Sequence, residues 1–283
     1  MNKKNNFSTY VLILFLIIGL SLLLYPSFSD YWNQKVQSFA VGNYIESVSL
    51  LDDDKYAEIL NEAKAYNRSL LDRPNPYGRT DQQIQMYSSV LNPFGSDIMG
   101  YIQIPSINVN LPVYHGTEET VLQVAIGHLD WTSLPVGGES THCVLSGHRG
   151  LPSARLFTDL DQLQMGDTFM LNILDEILTY EVDQILIVLP YETDALLIEE
   201  GKDLCTLVTC TPYGVNSHRM LVRGHRVENA EQAVTHRVTA DALRLEPIVV
   251  AVVLFFPILV LLLILSSIVE RLLKNSRNNT SGR

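Results

Sequence analysis

Apolar residues are spaced in three different ways along this chain. From about Tyr10 to Tyr25 they run almost unbroken, with VLILFLIIGLSLLL at the centre. A second unbroken run, Pro247 to Val269, carries no charge and matches the ~20 residues that cross a bilayer. From Asp30 to about Leu71 they recur at three and four residues, with Tyr56, Ile59, Leu60, Ala63 and Tyr66 on one stripe, which predicts helix. Pro74, Asn75, Pro76 and Gly78 break that spacing and predict an irregular segment. From Met99 the period falls to two. GYIQIP, INVNLPVYHG, THCVLSGH, DTFMLNIL, LTYEVDQILIVL, DLCTLVTC and HRMLVRGHRV read as short strands between turns. Helical insertions are expected at Thr117–Ala125 and Ser153–Leu163. Many short strands with few helices predict a mainly β chain closed into a barrel.

These patterns divide the 283 residues into an N-terminal membrane segment (1–28), helices and an irregular stretch (29–98), a β-barrel (99–228), a polar juxtamembrane stalk (229–246), a transmembrane helix (247–269) and a basic tail (270–283). No small-residue cleavage pattern closely follows the first apolar run; the nearest, Ser38-Phe39-Ala40, lies well beyond it, so an uncleaved anchor is expected. Lys3 and Lys4 flank one membrane segment and Arg271, Lys274, Arg277 and Arg283 the other. By the positive-inside rule both termini are cytoplasmic and the body from Ser29 to Leu245 is outside, at the cell membrane. The formal net charge is −11, and no basic stripe interrupts the body, which excludes a nucleic-acid binder.

The three cysteines are Cys143, Cys205 and Cys210. Cys205 and Cys210 lie five residues apart in one extended run, ~16 Å along a strand and on opposite faces, too far for a disulfide. Cys143 and Cys205 read as small buried residues of strands. The triplet Asp52-Asp53-Asp54 lacks the glycine and distal glutamate of a calcium loop and reads as a helix start. No metal or other cofactor is expected.

Cys210 ends its run rather than interrupting it, because Thr211-Pro212-Tyr213-Gly214 is turn chemistry and proline cannot donate to a strand ladder. Arg219 opens the next run. If the two strands pair antiparallel across this loop, thiol and guanidinium share one rim of the barrel. A thiol nucleophile also needs a base, usually histidine. His148 stands where THCVLS meets a glycine-flanked turn, again at a strand end. His115, His128, His142, His225 and His236 are expected as surface side chains, and His218 on the strand face opposite to Arg219.

The phrase TLVTCTPYGVNSHRMLVRG resembles the signature of the class C, pilin-polymerising sortases of Gram-positive bacteria. MGYIQIPSINVNLPVYHGT, GHLDWTSLPVGG and SGHRGLPSARLFTDLDQL extend the resemblance over most of Met99 to Val227. It implies an eight-stranded β-barrel with added N-terminal helices. It implies a membrane-anchored cysteine transpeptidase with Cys210 as nucleophile, His148 as general acid and base, Arg219 as stabiliser of the oxyanion or substrate, and Thr209 helping to orient substrate. The implied partners are pilin subunits with an LPxTG-like sorting signal, cleaved between Thr and Gly through a thioester and joined to an acceptor lysine by an isopeptide bond. Class C members also resemble one another in a lid bearing Asp-Pro-aromatic. Its place here is taken by Asn75-Pro76-Tyr77, where asparagine can hydrogen-bond Arg219 but not form an ion pair with it. Asn92-Pro93-Phe94 is a second candidate for that lid. Two alternatives stay open: a sortase that attaches proteins to cell-wall peptidoglycan, and an inactive scaffold that only binds pilins.

Overall fold

The structure is a computed structural model that describes residues 7–73 and 75–229. The chain divides into two compact units, Met1–Val238 and Thr239–Arg283. The expected transmembrane helix 247–269, the basic tail 270–283, all of the stalk past residue 229, and Pro74 lie outside the described residues.

The first apolar run does not stop at the anchor. Helix α1 is continuous from Phe7 to Ser49 and passes through Pro26. Its Leu14–Ser49 portion is long and apolar enough to cross a membrane. The C-terminal end of α1 is bound to the barrel. Val41, Tyr44 and Val48 are buried, and the Tyr44 hydroxyl donates to the Met99 carbonyl at 2.8 Å while accepting from the Leu174 amide at 2.7 Å. Helix α2 (Asp53–Leu71) starts as the aspartate triplet predicts, with the Asp52 carboxylate accepting from the Lys55 amide at 2.7 Å. It buries Ile59, Ala63, Tyr66, Asn67 and Leu70. Asn67 is fixed by two hydrogen bonds to the backbone of Leu134, at 3.0 and 2.7 Å. Helix α3 (Asp81–Ser89) was not legible in the apolar spacing, since Tyr87 is its only buried residue; a capping box between Thr80 and Gln83 starts it.

Eight strands close the barrel: β1 (Ile98–Ile104), β2 (Val109–His115), β3 (Ile126–His128), β4 (Thr141–Ser146), β5 (Thr168–Ile173), β6 (Glu176–Val188), β7 (Asp203–Thr211) and β8 (His218–Val227), in the order β1-β2-β3-β4-β7-β8-β6-β5. Seven match the period-2 runs. The eighth, β3, has three residues and is too short to show alternation. Closure pairs every strand on both sides and leaves no free sheet edge. Two neighbours are parallel, β2 with β3 and β4 with β7. Between β2 and β3 lies the short helix α4 (Glu119–Leu122), inside the expected Thr117–Ala125 insertion. The Ser153–Leu163 stretch is mostly turns, with a single 3-10 turn at Leu160–Gln162.

Three of the five histidines expected at the surface are instead inside: His115, His128 and His142 are 8%, 0% and 0% exposed. Each is buried because its ring bridges groups that would otherwise lack partners. His115 meets the Val90 carbonyl at 2.9 Å. The His128 Nε2 donates to the Ser133 carbonyl at 2.8 Å, which leaves Nδ1 to accept from the Tyr87 hydroxyl at 3.0 Å. That hydroxyl also accepts from the Gly116 amide at 2.9 Å, so one tyrosine ties α3 to the barrel. His142 donates through Nδ1 to the Leu197 carbonyl at 2.8 Å and accepts at Nε2 from the Thr206 hydroxyl at 2.7 Å.

Burial holds His115 and His142 below the ordinary imidazole value, against hydrogen bonds that favour the charged form. The unfolded chain takes up protons near pH ~6.5 while the folded one still resists them. The stability these groups contribute is therefore complete above that pH and is lost as pH falls through and below it. Asp203 is pushed up by burial and acts in the opposite direction, at more acid pH. The urea midpoint of unfolding is expected to fall between pH 7.5 and 5.5; a midpoint that holds or rises over that interval contradicts the neutral, buried histidines.

Candidate active site

The site is assembled by strand register. In the antiparallel pair β7–β8, Cys210 lies directly opposite Arg219 and Thr209 opposite Met220. Period-2 alternation then places Val208 and Cys210 on one face of β7, with Leu221 and Arg219 beside them on β8. In the parallel pair β4–β7, Val144 lies opposite Thr206 and Ser146 opposite Val208. Continued by two residues, that register brings His148 level with Cys210 on the same face. The backbone follows it past the end of β4, with the Gly147 amide donating to the Val208 carbonyl at 3.0 Å.

Thr209 is 1% exposed. Its hydroxyl donates to the Gly147 carbonyl at 2.8 Å, so it grips the residue before His148. Glycine is required at 147 because a Cβ there would stand 2.6 Å from Ile126 and 2.7 Å from the Phe157 ring. On its other side the His148 carbonyl accepts from the Phe157 amide at 3.1 Å. Strand, threonine and phenylalanine thus fix the backbone that presents the imidazole.

The side chains at the rim are only partly covered: Cys210, His148 and Arg219 are all half-buried. The His148 Nε2 lies 3.8 Å from a carboxylate oxygen of Glu119, at the start of α4. No sequence pattern singled out Glu119, because the link is made only when β2–β3 and the end of β4 come together. The Arg219 Nη1 donates to the carbonyls of Asn216 and His218, at 3.2 and 3.1 Å. Among the described residues no carboxylate lies within salt-bridge distance of it. Arg149, one residue past His148, is by contrast tied to Asp161 and to the Thr211 hydroxyl. Of these two rim arginines, Arg219 is the one not neutralised by an acid, and an uncompensated guanidinium suits a developing negative oxygen.

The face of the sheet below the rim is apolar. Val144, Val208, Leu196 and Leu221 form a buried cluster, with Trp131 and Val188 packed against it. The Asn75–Tyr77 segment lies over this region. The Tyr77 ring packs edge-on against Trp131, with centroids 5.0 Å apart, and its hydroxyl accepts from Thr193 at 2.9 Å. Pro76 shares a small cavity with Trp131, His142 and Leu196. Arg79 pairs with Asp130 just beyond. The Asn75 side chain accepts from the Tyr77 amide at 3.0 Å and so shapes its own turn; Arg219 donates to loop carbonyls instead. Asn92-Pro93-Phe94 sits elsewhere. Asn92 bonds Asp97, and Phe94 packs on Tyr44 of α1 at 6.4 Å.

The fold and the rim together define a class. A family model described as the sortase domain matches residues 102–227. Sortase C1 from Streptococcus agalactiae is 53% identical over 68% of this chain and 99% of that one, with a TM-score of 0.66. Sortase C from Streptococcus pneumoniae, whose structure bears on catalysis and pilin substrate specificity, is 42% identical, covering 67% and 97%, with a TM-score of 0.59. A lid mutant of sortase A from Corynebacterium diphtheriae is 39% identical, covering 65% and 100%, with a TM-score of 0.61. The chain belongs to the sortase family, the cysteine transpeptidases, and is similar to its class C members.

Proposed function

We propose that this sortase polymerises pilin subunits at the outer face of the cell membrane. The observation that carries the reading is the direct pairing of Cys210 with Arg219 beside the Gly147-His148 turn. In this reading the Cys210 thiolate attacks the carbonyl between Thr and Gly of an LPxTG-like sorting signal. The C–N bond breaks, a thioester forms on Sγ, and His148 delivers a proton to the departing glycine amine. Arg219 stabilises the oxyanion of each tetrahedral intermediate. The lysine amine of an incoming subunit then attacks the thioester, giving up a proton to His148; an isopeptide bond forms and the Cys210 thiolate is released. Thr209 acts through the backbone of Gly147, holding His148 in reach. The similarity to sortase C of S. pneumoniae, with its bearing on pilin substrate specificity, supports the choice of substrate.

The apolar α1 supports anchoring at the membrane, with the barrel outside and both termini cytoplasmic. Cells carrying Cys210→Ala are expected to lose high-molecular-weight pilin ladders completely. Ladders that persist in that variant would leave only a scaffold role, and pilins recovered solely on peptidoglycan in cells with the unaltered enzyme would assign the cell-wall reaction instead.

Asn75, Pro76 and Tyr77 act in this reading as a lid that excludes the sorting signal until it opens. Similarity to the sortase of C. diphtheriae studied as a lid mutant supports the assignment, and so does the position of Tyr77 on Trp131. One aromatic contact contributes about 0.5–1.5 kcal/mol beyond burial, so Tyr77→Ala is expected to speed labelling of the Cys210 thiol by up to about tenfold. Unchanged labelling and unchanged peptide cleavage would remove the lid from the account.

A further inference from the structure

Two thiols that the reaction does not use sit on the same two strands as the reacting residues. Cys143 on β4 and Cys205 on β7 are direct register partners in the parallel pair. They are 2% and 0% exposed, and both are free thiols. Cys143 lies five residues before His148, and Cys205 five residues before Cys210. The odd offset turns both thiols away from the face that carries the rim residues, ~16 Å along the strands.

The register brings the two Cα atoms within the span of a disulfide. Neighbouring strands run ~4.8 Å apart, so directly opposed Cα atoms fall inside the ~4.4–6.8 Å range of disulfides. As register partners in a parallel pair, the two side chains project from the same face of the sheet. Cys210, a strand's length away, cannot compete for either of them once the barrel has formed.

The two sulfurs also differ in character. Burial disfavours a thiolate at either position, but at Cys143 the hydrogen bond from Cys205 opposes it and the thiol is held below the ordinary range. Cys205 is pushed well above the ordinary thiol range by burial and by its neighbour. One partner is thus the readier nucleophile and the other holds its proton.

We propose that Cys143 and Cys205 form an oxidisable dithiol that closes into a disulfide, stapling β4 to β7 beneath the catalytic rim. The oxidant is a small-molecule disulfide. The Cys143 thiolate attacks one of its sulfurs, expelling a thiolate and leaving a mixed disulfide. Cys205 then loses its proton and attacks the Cys143 sulfur, expelling the second thiolate. The protein gives up two electrons and two protons, and the oxidant's one S–S bond becomes two thiols. The staple spans the two strands whose register places His148 level with Cys210, so it fixes their relative height. Closing the long loop between 143 and 205 restricts the unfolded chain and stabilises the barrel.

The test uses the full-length chain in detergent with Cys210→Ala, so that the two thiols in question are the ones counted. The protein is held with oxidised glutathione in urea below its unfolding transition, where local opening admits the oxidant, then denatured and alkylated. Two alkylated cysteines are expected before oxidation and none after it, with a loss of about 2 Da and no retained glutathione. The oxidised form should unfold at higher urea than the reduced form, and Cys143→Ser should abolish that difference. Two thiols still alkylated after oxidation, a stable glutathione adduct, or a midpoint indifferent to oxidation would overturn the proposal. None of these readouts depends on transpeptidase activity.

Discussion

Strands β4 and β7 are far apart in sequence, yet they lie side by side and parallel, and the height of one against the other decides whether the molecule has a site. Parallel neighbours cannot be joined by a tight turn, so their register is set by side-chain packing rather than by a hairpin. Here the setting groups can be named. His142 reaches across to Thr206, Thr209 grips Gly147, and Val144 and Val208 share one apolar cluster. A slip of one residue would turn Cys210 into the barrel and His148 away from it.

Strand β8 adds the third group at little cost, because it follows β7 through a short loop and returns antiparallel. Arg219 therefore lands opposite Cys210 by connectivity alone. His148 does not, and more structure is committed to holding it: a glycine with no space for a Cβ, a buried threonine, and Phe157 on the following turn. Thr209 is buried and its hydroxyl holds the Gly147 carbonyl, on the backbone that carries the imidazole.

Much of this was legible beforehand. Cys210 and Arg219 could be placed from turn composition and strand order, and His148 from its glycine-flanked strand end. What stayed hidden depended on contacts between distant segments. Strand β3 is too short to show a period, and α3 shows only one buried residue. Buried His115, His128 and His142 look like surface residues until the carbonyls and hydroxyls that they satisfy come within reach. The same holds for Tyr77, whose partners Trp131 and Thr193 come from two separate loops.

Two strand registers, β7 with β8 and β7 with β4, bring the proposed nucleophile, base and fixed positive charge to a single rim. Intact mass of the full-length protein after mixing with a peptide carrying an LPxTG-like signal tests that arrangement directly. An acyl adduct on Cys210 that ends at the threonine of the signal is expected. In Arg219→Ala the adduct should form at least about a hundredfold more slowly, the scale of losing one oxyanion donor, while the thiol still reacts with a small alkylating reagent. An adduct on another residue, or one that forms as fast without Arg219, would contradict it.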